Sequence, residues 1–126
     1  MIVIRFRGKS IATDEWIYGG IIPHSIYYGF KVDRWFITDD DGGSDEVLRG
    51  TVGQHIGFKD KNRVEIYEGD IVIWGGIKYV VRYSDKIAAF MLYGRERQFP
   101  IYGEDTDKYE VIGNVYDNPE LLEEII

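Results

Sequence analysis

The residues of this chain that could do acid–base chemistry are its carboxylates, and a close pair is Glu68 with Asp70. Two carboxylates that folding brings together can act as general acid and general base. The glycine between them supports a different explanation, because Glu-Gly-Asp before an apolar run is typical of a tight turn whose aspartate accepts backbone hydrogen bonds. We therefore expect a turn at this position and no catalytic residue in the chain.

Metal binding is the second chemistry to consider, because the stretch from Thr38 to Glu46 reads TDDDGGSDE and hard cations bind several oxygens. Alignment with the calcium-loop template puts Ile37 first and Leu48 last, and neither has a ligating side chain. The two histidines, His24 and His55, have no neighbouring ligand in the sequence. We expect a solvated turn and no metal, while a site assembled from distant residues stays open.

Other catalytic signatures are missing from the sequence. The chain has no cysteine, which removes thiolate nucleophiles, zinc–thiolate sites and disulfides together. It has no Gly-x-Ser-x-Gly motif for a hydrolase serine. The three glycine pairs lack the lysine and helix that follow in a phosphate loop, so they are predicted to be turns: Gly19 with Gly20, Gly42 with Gly43, and Gly75 with Gly76. We expect a protein that is not an enzyme and has no cofactor.

Cations and aromatic rings between Lys78 and Arg97 form the candidate interaction surface. Its members are Tyr79, Arg82, Tyr83, Tyr93, Arg95 and Arg97. Cations outnumber acids in this stretch, whereas from Gly103 to Ile126 Lys108 alone opposes eight acidic residues. The acidic end of one protomer is therefore predicted to meet the basic stretch of a neighbour or of another protein. Solvated surface is the plain alternative.

Nucleic acid is a second possible partner for the same residues. Small barrels present cations and stacking rings on a strand face. The net charge of −7 opposes this, because a negative protein repels phosphate at long range. Neighbouring rings such as Trp35 and Phe36 cannot both point inward on a strand, so some aromatics must lie outside, as they do at protein interfaces. We rank a protein partner above nucleic acid.

The composition favours strands joined by tight turns, with 15% aromatic residues, 15 glycines and 3 prolines. The apolar and β-branched runs predict strands at Ile2 to Phe6, Glu15 to Tyr18, Ile26 to Phe30, Trp35 to Thr38, Gly50 to Gln54, Arg63 to Ile66, Asp70 to Trp74, Lys78 to Tyr83, Ala88 to Tyr93 and Tyr109 to Tyr116. The short links after Trp74 and Tyr83 predict a meander, which a small barrel needs to hide its edges.

A short helix is predicted at the end of the chain. Asn118 suits the cap, Pro119 the first helical position and Glu120 the positive end of the helix. The apolar residues Leu121, Leu122, Ile125 and Ile126 then fall on one side. Since so short a helix is marginal alone, we expect that side to dock on the barrel or on another subunit.

The stretch from Thr51 to Val72, TVGQHIGFKDKNRVEIYEGDIV, resembles the signature of the YopX family, small proteins of phages and prophages in Gram-positive bacteria and their relatives. The opening IVIRFRGKS is similar to that family's N-terminal strand, and EVIGNVYDNPELL, from Glu110 to Leu122, to its closing motif. The resemblance implies a β-rich fold with an SH3-like barrel in the C-terminal half. It brings no settled activity and no catalytic residues.

The sequence and the resemblance together predict a mainly β protein of one YopX-like domain over residues 1–126, with an N-terminal β-rich part at 1–60 and an SH3-like barrel plus C-terminal helix at 61–126. No apolar run is long enough for a signal or a membrane span, so we expect a soluble protein in the cytoplasm of a bacterial host, with no membrane partner. We expect it to bind itself or a phage or host protein without catalysis; the alternative is a nucleic-acid-binding barrel using the Lys78 to Arg97 face.

Overall fold

A computed structural model describes residues 4–27 and 31–125, and these form eleven strands, two short 3₁₀ helices and one α-helix. Strands account for 52% of the chain, which confirms the predicted mainly β class. The chain divides into two compact units, Met1–His55 and Ile56–Ile126. The predicted single domain, divided at residue 60, stays a prediction.

The first unit is an antiparallel sheet in the order β4-β3-β2-β1-β5. Its strands are β1 (Phe6–Lys9), β2 (Trp16–Tyr27), β3 (Lys31–Thr38), β4 (Ser44–Val47) and the beginning of β5 (Gly53–Lys59). A 3₁₀ helix at Arg49–Thr51 leads into β5. Ile37 and Val47 are buried and supply apolar core to this unit. The predicted strands at Ile2 to Phe6 and Ile26 to Phe30 lie partly outside the described residues.

The turn predicted at Gly19 and Gly20 is wrong, because both glycines lie inside the twelve-residue strand β2. Gly19 is opposite Phe6 of β1 and Gly20 is opposite Thr38 of β3, so β2 changes partner here. A Cβ atom on Gly19 would lie 1.8 Å from the backbone oxygen of Thr38. The glycine therefore serves a close approach between strands, which the sequence pattern alone does not distinguish from a turn.

The second unit contains a five-stranded antiparallel sheet in the order β10-β9-β8-β7-β11. Its strands are β7 (Asp70–Trp74), β8 (Ile77–Ser84), β9 (Ala89–Tyr93), β10 (Gln98–Pro100) and β11 (Glu110–Asn114). The end of β5 pairs with β6 (Glu65–Tyr67), and a 3₁₀ helix at Gly103–Lys108 precedes β11. No closed barrel is present among the described residues.

Apolar side chains cover both faces of the second unit's sheet. On one face they are Ile56, Ile66, Val72, Tyr79, Val81, Leu92 and Tyr109. On the other they are Ile71, Val80 and Ile125, with Ile112, Val115, Leu121 and Leu122 packed against them. Successive residues of β8 therefore point into different clusters, as the alternation of a strand requires.

The α-helix, α1 (Pro119–Glu123), packs on the second of these clusters. Pro119 is at its first turn as predicted, and Ile125 is buried against Ile71 and Val80, which confirms docking on the chain's own sheet. Asn118 is at the N-cap position as predicted, but its side chain does not cap the helix and instead accepts a hydrogen bond from the backbone N–H of Asn114 at 3.2 Å. Ile126 lies outside the described residues.

No helix among the described residues is long and apolar enough to cross a membrane.

Candidate functional site

The Glu68-Gly69-Asp70 segment is a turn between β6 and β7, as predicted. Asp70 is buried, and its Oδ2 accepts the backbone N–H of Tyr67 at 2.8 Å. The Oε2 atom of Glu68 accepts the backbone N–H of Tyr83 at 3.1 Å. Gly69 has a φ of +94°, which a residue with a Cβ resists. Both carboxylates thus accept hydrogen bonds from backbone N–H groups of neighbouring strands.

Asp60 is a site residue whose importance the sequence did not reveal. It is buried, its Oδ1 accepts the N–H groups of Asn62 and Val64 at 2.8 Å each, and its Oδ2 accepts that of Val111 at 2.9 Å. The first two bonds close the turn after β5, and the third attaches that turn to β11. The only sequence signal was an aspartate in a turn of the family signature, which does not identify a distant partner.

The acidic loop between β3 and β4 is an aspartate-stabilised turn. The Asp39 Oδ1 atom accepts the N–H groups of Asp41 at 3.0 Å and Gly43 at 2.8 Å. Nearby, Arg34 forms a bidentate pair with Glu46, with bonds of 2.6 and 3.1 Å, and this hydrogen bonding lowers the pKa of Glu46. Within residues 4–27 and 31–125, no three side chains of metal-binding type come together.

The two histidines lie in different settings. His24 is exposed on β2, and its ring meets the Phe36 ring edge-on, with centroids 6.5 Å apart. His55 is half-buried in β5, and its backbone N–H donates to the Arg5 oxygen at 2.7 Å. Each histidine thus lies in a strand of the first unit's sheet.

The six residues of the candidate interaction surface do not share one face. Tyr83 lies opposite Phe90, on the face that also carries Tyr79, because residues four apart on a strand point the same way. Arg82 lies opposite Met91, on the other face, which Tyr93 shares. Tyr79 is 2% exposed and belongs to the core, so it is not available to a partner.

Tyr83 is the aromatic residue of this set with the clearest exposure. The residue is 44% exposed, and its ring packs edge-on against that of Phe90, with centroids 5.3 Å apart and planes at 78°. Ile87, in the turn after β8, is 53% exposed. We call Tyr83, Ile87 and Phe90 the hairpin surface, because all three belong to the β8–β9 hairpin.

The two remaining arginines, Arg95 and Arg97, are exposed in the turn between β9 and β10. They border a cavity of about 330 Å³ that is lined by Ile77, Gly94, Arg95, Glu96 and Arg97. Ile77 begins β8 and Tyr83 is near its end, so the cavity and the hairpin surface are at opposite ends of one strand.

The basic stretch and the acidic tail meet within the chain. Lys78 Nζ lies 3.2 Å from Glu124 Oε2, directly beyond α1. Lys61 pairs with Glu110 at 3.1 Å in the same unit. Part of the charge complementarity that was predicted between protomers is therefore used inside one chain.

Tyr109 is a buried group of the second unit whose pKa is strongly raised. It is fully buried, and its hydroxyl has no hydrogen-bond partner in the described part of the chain. Burial raises the pKa of Tyr109 to about 12, with further contributions from the charge of Asp105 and from Tyr79. The ring contacts Trp74, with centroids 5.4 Å apart, so Tyr109 packs within the aromatic part of the core.

Comparison with known proteins supports the resemblance. The family model described as YopX protein matches residues 5–123. The fold is similar to that in the crystal structure of protein EF1440 from Enterococcus faecalis, with a TM-score of 0.62 and 23% identity over 97% of this chain and 99% of that chain. At this identity the likeness concerns the fold alone. No curated protein matches the chain in sequence.

Proposed function

The chain belongs to the YopX family, and on that premise we propose that it is a non-enzymatic module that associates with itself or with another protein. The observation that carries the proposal is the hairpin surface. Tyr83 and Ile87 are both large, apolar and about half exposed, at one end of the second unit. Together with Phe90 they put aromatic and aliphatic side chains on one hairpin, which is typical of an interaction surface.

The chemistry of the hairpin surface fits a protein partner. Tyrosine offers a large contact area at a low entropic cost, and clustered aromatic and aliphatic side chains are enriched at the centres of interfaces. The Tyr83 ring is held in position by Phe90, so little side-chain freedom is lost on binding. The backbone of Tyr83 is also fixed by Glu68. Both the ring and the backbone of Tyr83 are thus held in place within the hairpin surface.

The alternative partner, nucleic acid, has less support. Binding along the Lys78 to Arg97 face needs cations and rings side by side, and the strand register puts Arg82 and Tyr83 on opposite faces of β8. The net charge of −7 also opposes binding to nucleic acid, because it repels phosphates. We therefore keep nucleic acid as an outcome of the tests.

The wider setting of the proposal comes from the family resemblance: a phage or prophage protein that acts in the cytoplasm of a bacterial host. We also propose that the second unit is a variant of an SH3-like barrel within a single domain. Support comes from the strand order β10-β9-β8-β7-β11 and from the 3₁₀ helix before the last strand. A small barrel of this kind presents its hairpins to partners.

Light scattering during size-exclusion chromatography tests the proposal. We expect the wild type to exceed the 14.6 kDa of one chain as its concentration rises, and Tyr83→Ser to remain at that mass. Ile11→Ser is the matched control, because Ile11 is 52% exposed in a turn of the first unit. A control variant that loses assembly as completely as Tyr83→Ser would remove the hairpin surface from the proposal. A monomeric wild type would leave only a different protein as the partner.

A further inference from the structure

The cavity beside the β9–β10 turn is placed there by the register of the sheet. Val80 of β8 lies opposite Tyr93, the last residue of β9. The first residues of β8 therefore run past the end of β9 and lie beside residues 94–97. Ile77, 37% exposed, thus becomes an apolar wall of the cavity.

The turn that carries the two arginines is tightly held. The backbone N–H of Gly94 donates to the Arg97 oxygen at 2.7 Å, which closes the turn. A Cβ atom at Gly94 would lie 2.9 Å from the ring of Tyr79, so the turn rests on a buried aromatic residue. Tyr79 is therefore a positioning residue for Arg95 and Arg97, although it is not itself accessible.

The charges around the cavity are unbalanced. Three lysines of the second unit have acidic partners within 3.6 Å, in the pairs Lys61–Glu110, Lys78–Glu124 and Lys108–Asp105. Arg95 and Arg97 have no acidic partner in the described part of the chain. The single carboxylate that lines the cavity is Glu96. Two guanidinium groups therefore border this space with one opposing charge.

We propose that this cavity binds a carboxylate of a partner polypeptide, carried by an acidic side chain next to an aliphatic one. Guanidinium groups hold carboxylates through paired, charge-assisted hydrogen bonds, and Ile77 offers the apolar contact. A volume of about 330 Å³ accommodates a side chain and is at the lower limit for small-molecule pockets. A nucleic acid would need a longer run of cations along its phosphates.

This inference rests on the proposed protein-binding function but concerns a separate place. Tyr83 is six residues after Ile77 on β8, which is about 20 Å along an extended strand. The cavity would give specificity for an acidic segment, while the hairpin surface would give apolar contact area. Binding at the cavity can be absent while the hairpin surface still binds a partner, and the reverse also holds.

Fluorescence anisotropy with a labelled peptide of alternating glutamate and leucine tests the inference. Arg95→Gln and Arg97→Gln should each weaken binding about tenfold, because each removes a charge-assisted contact. Glu96→Gln should strengthen binding, because it removes the opposing carboxylate from the cavity wall. Lys86→Gln, at an exposed cation in the β8–β9 turn, should leave the affinity unchanged and serves as the matched control.

Several results would overturn the inference. They are no binding of the peptide, equal binding of a peptide with glutamine in place of glutamate, unchanged affinity in both arginine variants, and tighter binding of labelled oligothymidine than of the peptide. The Tyr83→Ser variant separates the two proposals. If it binds the peptide normally but no longer assembles, both stand. If the wild type assembles but binds no peptide, this inference alone falls.

Discussion

Asp60 holds together parts of the second unit that are far apart in the sequence. One carboxylate oxygen binds two N–H groups of its own turn, and the other binds Val111, 51 residues later. The sequence predicts the turn, because aspartate accepts bonds from the residues that follow it. It does not predict the contact with β11, because that depends on which strand folding brings alongside.

Replacement of Asp60 should therefore destabilise the folded chain. Asp60→Ala leaves three N–H groups without their acceptor, and we expect the free energy of unfolding to fall by roughly 3 kcal/mol. Urea denaturation measures it. Asp85→Ala, at an exposed aspartate in the β8–β9 turn, is the control and should change little. A loss in Asp60→Ala no larger than in the control would show that these bonds contribute nothing net.

Tyr109 gives a prediction about pH. Its ordinary pKa is 10.0 and its pKa in the folded chain is about 12, so below pH 10 both folded and unfolded states keep the proton. Above pH 10 the unfolded state releases it first, and the free energy of unfolding falls as pH rises from 10 to 12. In Tyr109→Phe this fall should be shallower than in the wild type.

The same substitution should be harmless at neutral pH. Tyr109→Phe removes a buried hydroxyl without a hydrogen-bond partner, so we expect the variant to be as stable as the wild type or more stable by about 1 kcal/mol. Urea denaturation at pH 7 and across the alkaline range measures both effects. Strong destabilisation at pH 7 would mean that the hydroxyl is bonded in solution.

At the scale of elements, the long strand β2 depends on a glycine where it changes partner. Gly19→Ala puts a Cβ atom on the Thr38 backbone oxygen, and we expect it to lower the free energy of unfolding by roughly 3 kcal/mol. Gly50→Ala is the matched control, because nothing lies within 4 Å of a Cβ there. Thermal unfolding followed by circular dichroism compares them. Equal melting temperatures would contradict the close approach of β2 and β3.

The helix α1 gives the second prediction at this scale. Ile125 is buried beside Ile71 and Val80, so Ile125→Ala should lower the free energy of unfolding by roughly 3 kcal/mol through lost burial and a cavity. Glu123→Ala, on the exposed side, should change it by less than about 0.5 kcal/mol. Denaturation with urea measures both variants. Equal effects would mean that the helix does not cover the sheet in solution.

The bounds of a strand could be predicted where the apolar pattern of its own residues determines them. The strand at Asp70–Trp74 has the predicted bounds, because an apolar run between two turns leaves no other choice. The short strands β4 and β10 were missed: Ser44–Val47 begins with polar residues, and Gln98–Pro100 ends in proline. Both are recognised only through their neighbours β3 and β9. Pairing, not composition, makes them strands.

At the scale of the whole molecule, burial decides which candidate residues can bind a partner. The sequence placed Tyr79 and Tyr83 in one candidate interaction surface, but it did not predict that apolar clusters cover both faces of the sheet. That arrangement buries Tyr79 and leaves Tyr83 exposed at the end of β8. It also pairs Lys78 with Glu124 inside the chain. The exposed members of the candidate interaction surface, Tyr83, Arg95 and Arg97, lie near the ends of β8 and β9.

Photo-crosslinking tests directly whether the hairpin surface contacts another polypeptide. A photoreactive phenylalanine analogue replaces Tyr83 in one variant and Ile11 in another, and each is illuminated in the bacterial cell. We predict a crosslinked species, either a second copy or a different protein, from position 83 and none from position 11. No crosslink at position 83, or equal crosslinking at both positions, would show that the hairpin surface is not a binding surface.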